Sequence, residues 1–497
     1  MASILFKGKE ILEKTGETPA FFVDLNLDQI IDRITEDWGD EIRDLFYIMP
    51  DGRDEEEYRR GVYRDICKDD TYDNLMTFLD LIKERNECKA KIEDLTDHDQ
   101  RNVWYLREVG VYFEAVELLK SVLANSNLKS EGIYRLRDFI KTYTDTKEYI
   151  ELSKTAEKLL AELRSFRVLI TYENGKIYVD DGIGGLPYEE FLGRNFPGAN
   201  KKFRTPFSAS DELSDLEDAV IRLYKKSHKE FFGKIASFAK NKDKYVNSEI
   251  MNLPKEFSYY LSFIKFMNKM KERGFAFCDP EAGSEKLSAI DMYDLALACT
   301  NYEARKEVVS NDFDLRDGEK FIVLTGPNQG GKTTFARSLG QMIYFTKMGL
   351  SVAAERACVP YYTQILSHFS VEESAETGRG KLMDELVRLK PMMNKEYVGA
   401  FVVINELFTT AANFDACEMG KKVLDFFIGN GCYGIYVTHL NDLAKSHENV
   451  VSFRAATDEN AKQTFKVGRE NAREIAGANT QVEKYRLTYS QIKERFS

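Results

Sequence analysis

No stretch of this 497-residue chain approaches the ~18 consecutive apolar residues that a membrane-crossing helix needs. The opening segment, MASILFKGKEILEKTGETPAFF, has no continuous apolar core of the kind a secretory signal carries. Neither a membrane protein nor a secreted one is expected, and the cytoplasm is the default location. Cysteine is scattered: Cys67, Cys88, Cys278, Cys299, Cys358, Cys417 and Cys432 stand singly, with no C-x-x-C pair. That spacing supports neither a zinc site nor a disulfide framework, and fits reduced, mostly buried thiols. The five histidines are too dispersed to suggest a metal cluster. Proline is nearly missing from the first 165 residues, where only Pro19 and Pro50 occur, so long helices can run there uninterrupted. Basic charge is in deficit, with 70 Lys and Arg against 82 Asp and Glu and a net charge of −12. This argues against a whole surface that binds nucleic acid, but not against a local basic stripe.

What is present is ordinary for a soluble globular protein: 43% hydrophobic and 31% charged residues, in a chain long enough for two to four domains. Residues 1–165 read as successive amphipathic helices. Apolar positions recur at three-to-four spacing in Leu75, Phe78, Leu79 and Ile82, and again in Val111, Phe113, Val116, Leu118 and Leu119. The texture changes at Phe166. FRVLITYENGKIYVDD alternates, is rich in β-branched and aromatic residues, and carries Asn174-Gly175 at its centre, which predicts a tight hairpin. A glycine- and proline-rich stretch follows, and helical texture returns over 211–273. From about Phe275 short apolar runs alternate with helices. FIVLTG, FVVINE and GIYVTH each end in polar residues, as parallel strands buried on both faces do when function sits at their carboxyl ends.

The first of these runs leads into Gly326-Pro327-Asn328-Gln329-Gly330-Gly331-Lys332-Thr333, followed by Thr334 and a helix-like segment. This is the full G-x-x-x-x-G-K-[ST] phosphate loop in its expected strand–turn–helix setting. Glycines let the backbone wrap phosphates, the following helix offers its positive end, Lys332 neutralises the β- and γ-phosphates, and Thr333 ligates Mg²⁺. ATP and Mg²⁺ are the implied ligands. The second run ends at Asn405 and Glu406, where such sites usually carry two acids. Asn405 can reach a metal only through water and brings no charge, which leaves Glu406 as the candidate general base. The third run ends at Thr438-His439, with His439 placed to read the γ-phosphate, or else to sit as a satisfied buried histidine.

TGPNQGGKTT, with Pro-Asn after the first glycine, closely resembles the phosphate loop of the MutS family of DNA mismatch repair proteins. The resemblance extends over about 180 residues. It takes in Val309-Ser310-Asn311-Asp312, which in the family borders the nucleotide, and the stretch GLSVAAERACVPYYTQILSHF. It continues through Gly378-Arg379-Gly380-Lys381-Leu382-Met383, the acidic strand, Asp415 and the Thr-His strand. KYRLTYSQIKERF is similar to a reduced form of the family's C-terminal helices, and residues 20–150 resemble its helical core more loosely. The resemblance implies an α/β ABC-class P-loop ATPase domain at 274–497 with a short helical end. Before it would lie a largely α-helical core and lever at 1–273, with a small β insertion at about 166–205. It also implies a homodimer, in which Gly378, Arg379, Gly380 and Lys381 reach across to the second copy's ATP.

Three departures from the family stand out. Asn405 replaces the usual aspartate. Gly380 and Lys381 replace Ser-Thr, so that Arg379 or Lys381 either contacts the γ-phosphate as a cation or remains a solvated loop charge. The residues before position 20 offer no room for a mismatch-recognition domain and no nuclease module follows, so mismatch detection of the usual kind is not expected. The basic run Lys225, Lys226, Lys229 and Lys234, continuing to Lys240, Lys242 and Lys244, reads either as the solvated side of an amphipathic helix or as a phosphate-contacting stripe. Lys201-Lys202-Phe203-Arg204 belongs to the same question. The leading expectation is a DNA-associated, ATP-hydrolysing dimer in repair or recombination. Alternatives are a nucleotide-gated binding protein with weak turnover and an ATPase acting on a protein or ribonucleoprotein.

Overall fold

The computed structural model describes residues 3–8, 18–68, 70–166, 168–173, 176–181, 224–226, 228–240, 245–304, 306–370, 380–394, 397–458 and 462–470. Two compact units emerge: residues 68–128 with 134–254, and residues 2–67, 129–133 and 255–497.

The first unit is built on helices Thr71–Asp94 and His98–Leu123, joined by residues 95–97 and packed along their length. Asp97 starts the second helix by accepting hydrogen bonds from the amides of Asp99 and Gln100 at 2.9 and 3.0 Å. Leu75, Phe78 and Ile82 of the first helix and Leu106, Val109 and Val116 of the second are buried, and an Arg85–Glu108 ion pair of 2.6 Å, itself buried, joins the two. The expected hairpin is present. Strands β1 (Val168–Glu173) and β2 (Lys176–Asp181) pair antiparallel from Val168↔Asp181 to Glu173↔Lys176. Residues 182–223, which include Lys201-Lys202-Phe203-Arg204, lie outside the described residues.

The second unit holds two sheets. One has six strands in the order β12 (Gln463–Arg469), β11 (Val450–Thr457), β6 (Phe321–Thr325), β10 (Tyr433–Val437), β9 (Phe401–Asn405) and β8 (Ile365–Phe369). All neighbours are parallel except β12, which turns back against β11. The other, mixed sheet runs β3 (Glu281–Ala282), β7 (Arg356–Val359), β4 (Ser288–Met292) and β5 (Asn311–Asp314). The three apolar runs expected to be parallel strands are β6, β9 and β10, adjacent at the centre of the six-stranded sheet and buried along almost their whole length.

The two units do not divide the chain at 273. Segments 21–66 and 255–271 fold together with the phosphate loop. The reason lies in helix Lys332–Lys347, which is buried nearly all round and therefore needs a second layer over it. Gly340 supplies the clearance, since a Cβ there would meet Leu25 Cδ2 at 2.6 Å. Arg337 Nε donates to Asp24 O, and Gln341 Nε2 to Leu25 O, both at 2.9 Å. Tyr344 Oη donates to Phe46 O at 2.6 Å. At the helix end Lys347 forms a buried 2.5 Å ion pair with Glu56, whose pKa burial raises despite the lysine. Glu256 fastens the start of the chain, accepting from Ser3 Oγ at 2.9 Å and from the amides of Ile4 and Leu5 at 2.6 and 3.2 Å.

Candidate nucleotide site

Strand β6 delivers the chain to Gly326 at φ +132°, a conformation L side chains rarely adopt. A Cβ at this position would stand 3.0 Å from Ala455 Cβ and 3.1 Å from Ala455 N, so β11 closes one side of the loop. Gln329 at φ +59° and Gly331 at φ +89° complete the reversal. Helix Lys332–Lys347 then begins with no side-chain cap, so its first amides are left to face an anion.

Lys332 is buried, and its Nζ donates to the carbonyls of Gly326 and Pro327 at 3.0 and 2.9 Å. Burial holds its pKa below the ordinary lysine value, with the Glu406 carboxylate offsetting part of that shift. Thr333 Oγ1 donates to Asn405 Oδ1 at 3.1 Å. Val437 pairs with Asn405 and also with Leu324, which brings the carboxyl ends of β6, β10 and β9 side by side. Two pairs of residues distant in sequence are thereby gathered, Lys332-Thr333 and Asn405-Glu406.

Beyond β9 the backbone turns sharply. Glu406 takes φ +55° and Phe408 φ +65°. For non-glycine residues each such conformation costs roughly 1–2 kcal/mol, so the surroundings must hold it. The Glu406 amide donates to Val437 O at 2.9 Å. The Phe408 amide donates to Oε2 of buried Glu385 at 3.0 Å. Glu406 Oε1 lies 3.0 Å from His439 Nε2, and both side chains are part-exposed, at 30% and 45%, so water and a substrate can reach them. His439 is thus paired with the candidate base, an arrangement open to solvent and distinct from that of a sealed core histidine.

Other expected residues take more varied places. Asn328 O accepts from Gln463 Nε2 at 2.8 Å. Asn311 uses its amide on β12, accepting from Val467 N at 2.7 Å and donating to Phe465 O at 3.4 Å. Pro327 O also accepts from Gly330 N at 3.2 Å, tightening the loop, and Thr334 is half-buried in the first helical turn. Gly378 and Arg379 lie outside the described residues. Gly380 is exposed at the start of helix Lys381–Met392, which Lys381 opens.

Two residues near the site had no signal in the sequence. Phe465 is 47% exposed at φ +58°, and a Cβ on Gly331 would fall 3.5 Å from its Cδ1, so its ring stands beside the phosphate loop. Only the antiparallel return of β12 creates that proximity. Glu385 reaches the turn after β9 from a helix whose own sequence shows nothing but amphipathic spacing.

The basic candidates in the first unit are partly committed to carboxylates. Lys225 pairs with Asp99, and Lys234 lies 3.7 and 3.6 Å from Glu162 and Glu230. Lys226 and Lys229 are exposed, while Lys242 and Lys244 lie outside the described residues. Phe231, Phe232, Ile235 and Phe238 form the buried face of helix Lys229–Ala239.

Residues 322–481 match the family model described as MutS domain V. The DNA mismatch repair protein MutS of Fusobacterium nucleatum subsp. nucleatum is 28% identical over 158 residues, 31% of this chain and 18% of that protein. The protein of the same name from Prochlorococcus marinus strain AS9601 is 27% identical over 162 residues, 32% of this chain and 18% of its own length. That of Shouchella clausii is 23% identical over 203 residues, 39% of this chain and 23% of its own. The matches span about a fifth of the length of these relatives.

Proposed function

We infer, from a C-terminal portion that is MutS-like, that this chain binds ATP at residues 326–334 and hydrolyses it with Glu406 as general base. The observation that carries this reading is the 3.0 Å Glu406–His439 pair at the carboxyl ends of β9 and β10, beside Lys332 and Thr333.

The site fits a nucleotide. Glycines stand where a Cβ would crowd the loop, the helix start is uncapped, and a buried ammonium faces loop carbonyls. Gly330, Gly331 and the first helical amides hold phosphate oxygens. Phe465 offers a ring face to the base. Thr333 and Asn405 are the residues that would hold Mg²⁺, Asn405 through water; when bound, the ion neutralises phosphate oxygens and orients them. Glu406 takes a proton from water as the water oxygen attacks the γ-phosphorus. The bond from that phosphorus to the bridging oxygen breaks, its electron pair leaves with ADP, and Lys332 stabilises the charge that develops. His439, as a donor to Glu406, fixes the direction of the carboxylate and lies within reach of the γ-phosphate.

In this reading the fold belongs to the ABC class and works as a homodimer, each copy offering its 378–381 loop to the other's nucleotide. DNA is the partner, bound with little sequence preference. A second reading, a nucleotide-gated switch with slow turnover, is favoured by one observation: the side chain bonded to Thr333 is the neutral amide of Asn405. Steady-state hydrolysis of MgATP by the wild type and by Glu406→Gln separates the two. The ATPase reading predicts turnover that the substitution abolishes while ATP still binds. Binding without turnover in the wild type selects the switch.

A further inference from the structure

Glu385 is a charged residue buried to 4% exposure, in a protein whose surface has ample room for carboxylates. Burying it without purpose would be costly. Its Oε2 accepts the amide of Phe408, at 3.0 Å. Phe408 is the second of two left-handed non-glycine residues in the turn that follows β9, and Glu406 is the first. Backbone bonds also hold the turn. The Glu406 amide bonds to Val437 O, and the Ala411 amide bonds to Phe408 O at 3.2 Å. The Phe408 amide would therefore lose its bond if Glu385 moved, and a left-handed phenylalanine would have less to keep it there.

Glu385 is itself held from the other side. Its carbonyl lies 3.3 Å from Nε2 of His368, a fully buried histidine in β8, where burial keeps the ring neutral. His368 pairs in register with Ile404 of β9, one residue before Asn405. Arg388, one turn further along the same helix, donates to Phe369 O at 2.9 Å. The helix Lys381–Met392 is thus pinned to β8 through His368 and Phe369 and reaches the turn after β9 through the Glu385 carboxylate.

We infer that Glu385 is a positioning residue for Glu406: it holds the left-handed turn that aims the base, and it ties that turn to the helix beginning at Lys381. The inference deepens the ATPase reading and rests on it for its kinetic consequence. A displacement of the helix start would be passed to the turn through the Glu385–Phe408 bond. Glu385 touches no substrate, and its effect falls on the rate and not on nucleotide affinity.

The test compares Glu385→Gln, which keeps an acceptor oxygen for the Phe408 amide, with Glu385→Leu, which has similar volume and none. Wild type and Glu406→Gln are run beside them, all as full chains. Readouts are kcat and KM for MgATP, and hydrogen–deuterium exchange over residues 405–411. Glu385→Leu should lower kcat by up to about 100-fold, the scale of a 1 Å misplacement, with KM unchanged and faster exchange in 405–411. Glu385→Gln should retain most of kcat and slow exchange. Equal losses in both variants, or an unchanged Glu385→Leu, would overturn the inference. If Glu385→Leu does not fold, Glu385→Asp, one methylene too short for the Phe408 amide, takes its place with the same expected outcome. A wild type without turnover would defeat the ATPase reading alone, because the exchange comparison still decides whether Glu385 holds the turn.

Discussion

In the ATPase reading, Asn405 is the residue at which metal support can be tested. Its oxygen accepts from Thr333 at 3.1 Å, in the position from which a carboxylate would support a hydrated cation. Asn405→Asp adds a negative charge there without changing shape. It should raise kcat by about an order of magnitude if metal positioning limits turnover, since charge placed at the reacting phosphates acts on the transition state. An unchanged kcat would remove metal positioning as the bottleneck. Phe465 bears on affinity instead. Base stacking on an aromatic ring contributes ~1–3 kcal/mol, so Phe465→Ala should raise KM for ATP by about fivefold or more with kcat retained. An unaltered KM would mean that the ring does not meet the base. The sequence pointed to Lys332, Thr333 and Glu406 because each follows an apolar strand in a short local motif, and the structure brings those strand ends together. It did not point to Phe465, because about 130 residues separate it from the loop and only sheet topology brings it back.

Elements hold the site through tight approaches that substitutions can probe. Gly434 in β10 lies against β9 so closely that a Cβ would fall 2.1 Å from Val402 O and 2.7 Å from Phe321 Cε1. Backbone must shift to accept it. Gly434→Ala should therefore destabilise the second unit by about 2–4 kcal/mol, read by denaturant unfolding. A wild-type midpoint would show that the strands have slack. His368 sets a pH dependence. In the folded chain burial, with Arg388 adding to it, holds its pKa down to about 4, against 6.5 for a free histidine. Between those values the unfolded chain binds more protons, so this histidine's contribution is complete above about pH 6.5 and is lost as pH falls through about 4. It amounts to roughly 3 kcal/mol. His368→Gln should lose less stability than wild type between pH 7 and pH 4.5 in parallel urea melts. Identical losses would place the titration elsewhere. The helix Lys332–Lys347 and strands β6, β9 and β10 were visible as periodicity and apolar runs. The mixed sheet of β3, β4, β5 and β7 was not, because its strands are short and its pairing partners are distant in sequence.

At the scale of the whole chain, the assignment of segments could not be read from texture. Residues 21–66 and 255–271 look like the other helices. Only the demand of an all-round buried helix for cover explains why they fold with the phosphate loop. With Lys225 and Lys234 committed to carboxylates, Lys226 and Lys229 are, with Lys240, exposed cations of that run in a chain of net charge −12. If DNA is the partner through this face, replacing Lys226 and Lys229 by Glu should weaken duplex binding at low salt. The wild type should lose affinity steeply as salt rises, with a slope near −0.9 per phosphate contact. Salt-independent binding would count against the stripe.

The most direct measurement is steady-state MgATP hydrolysis by the wild type and by Glu406→Gln, with ATP binding followed in both. The account predicts turnover in the wild type and a loss of about 10²–10⁴-fold in the variant at unchanged ATP affinity, the range expected for removal of a general base. Equal rates in the two proteins, or ATP binding with no turnover in the wild type, would contradict it.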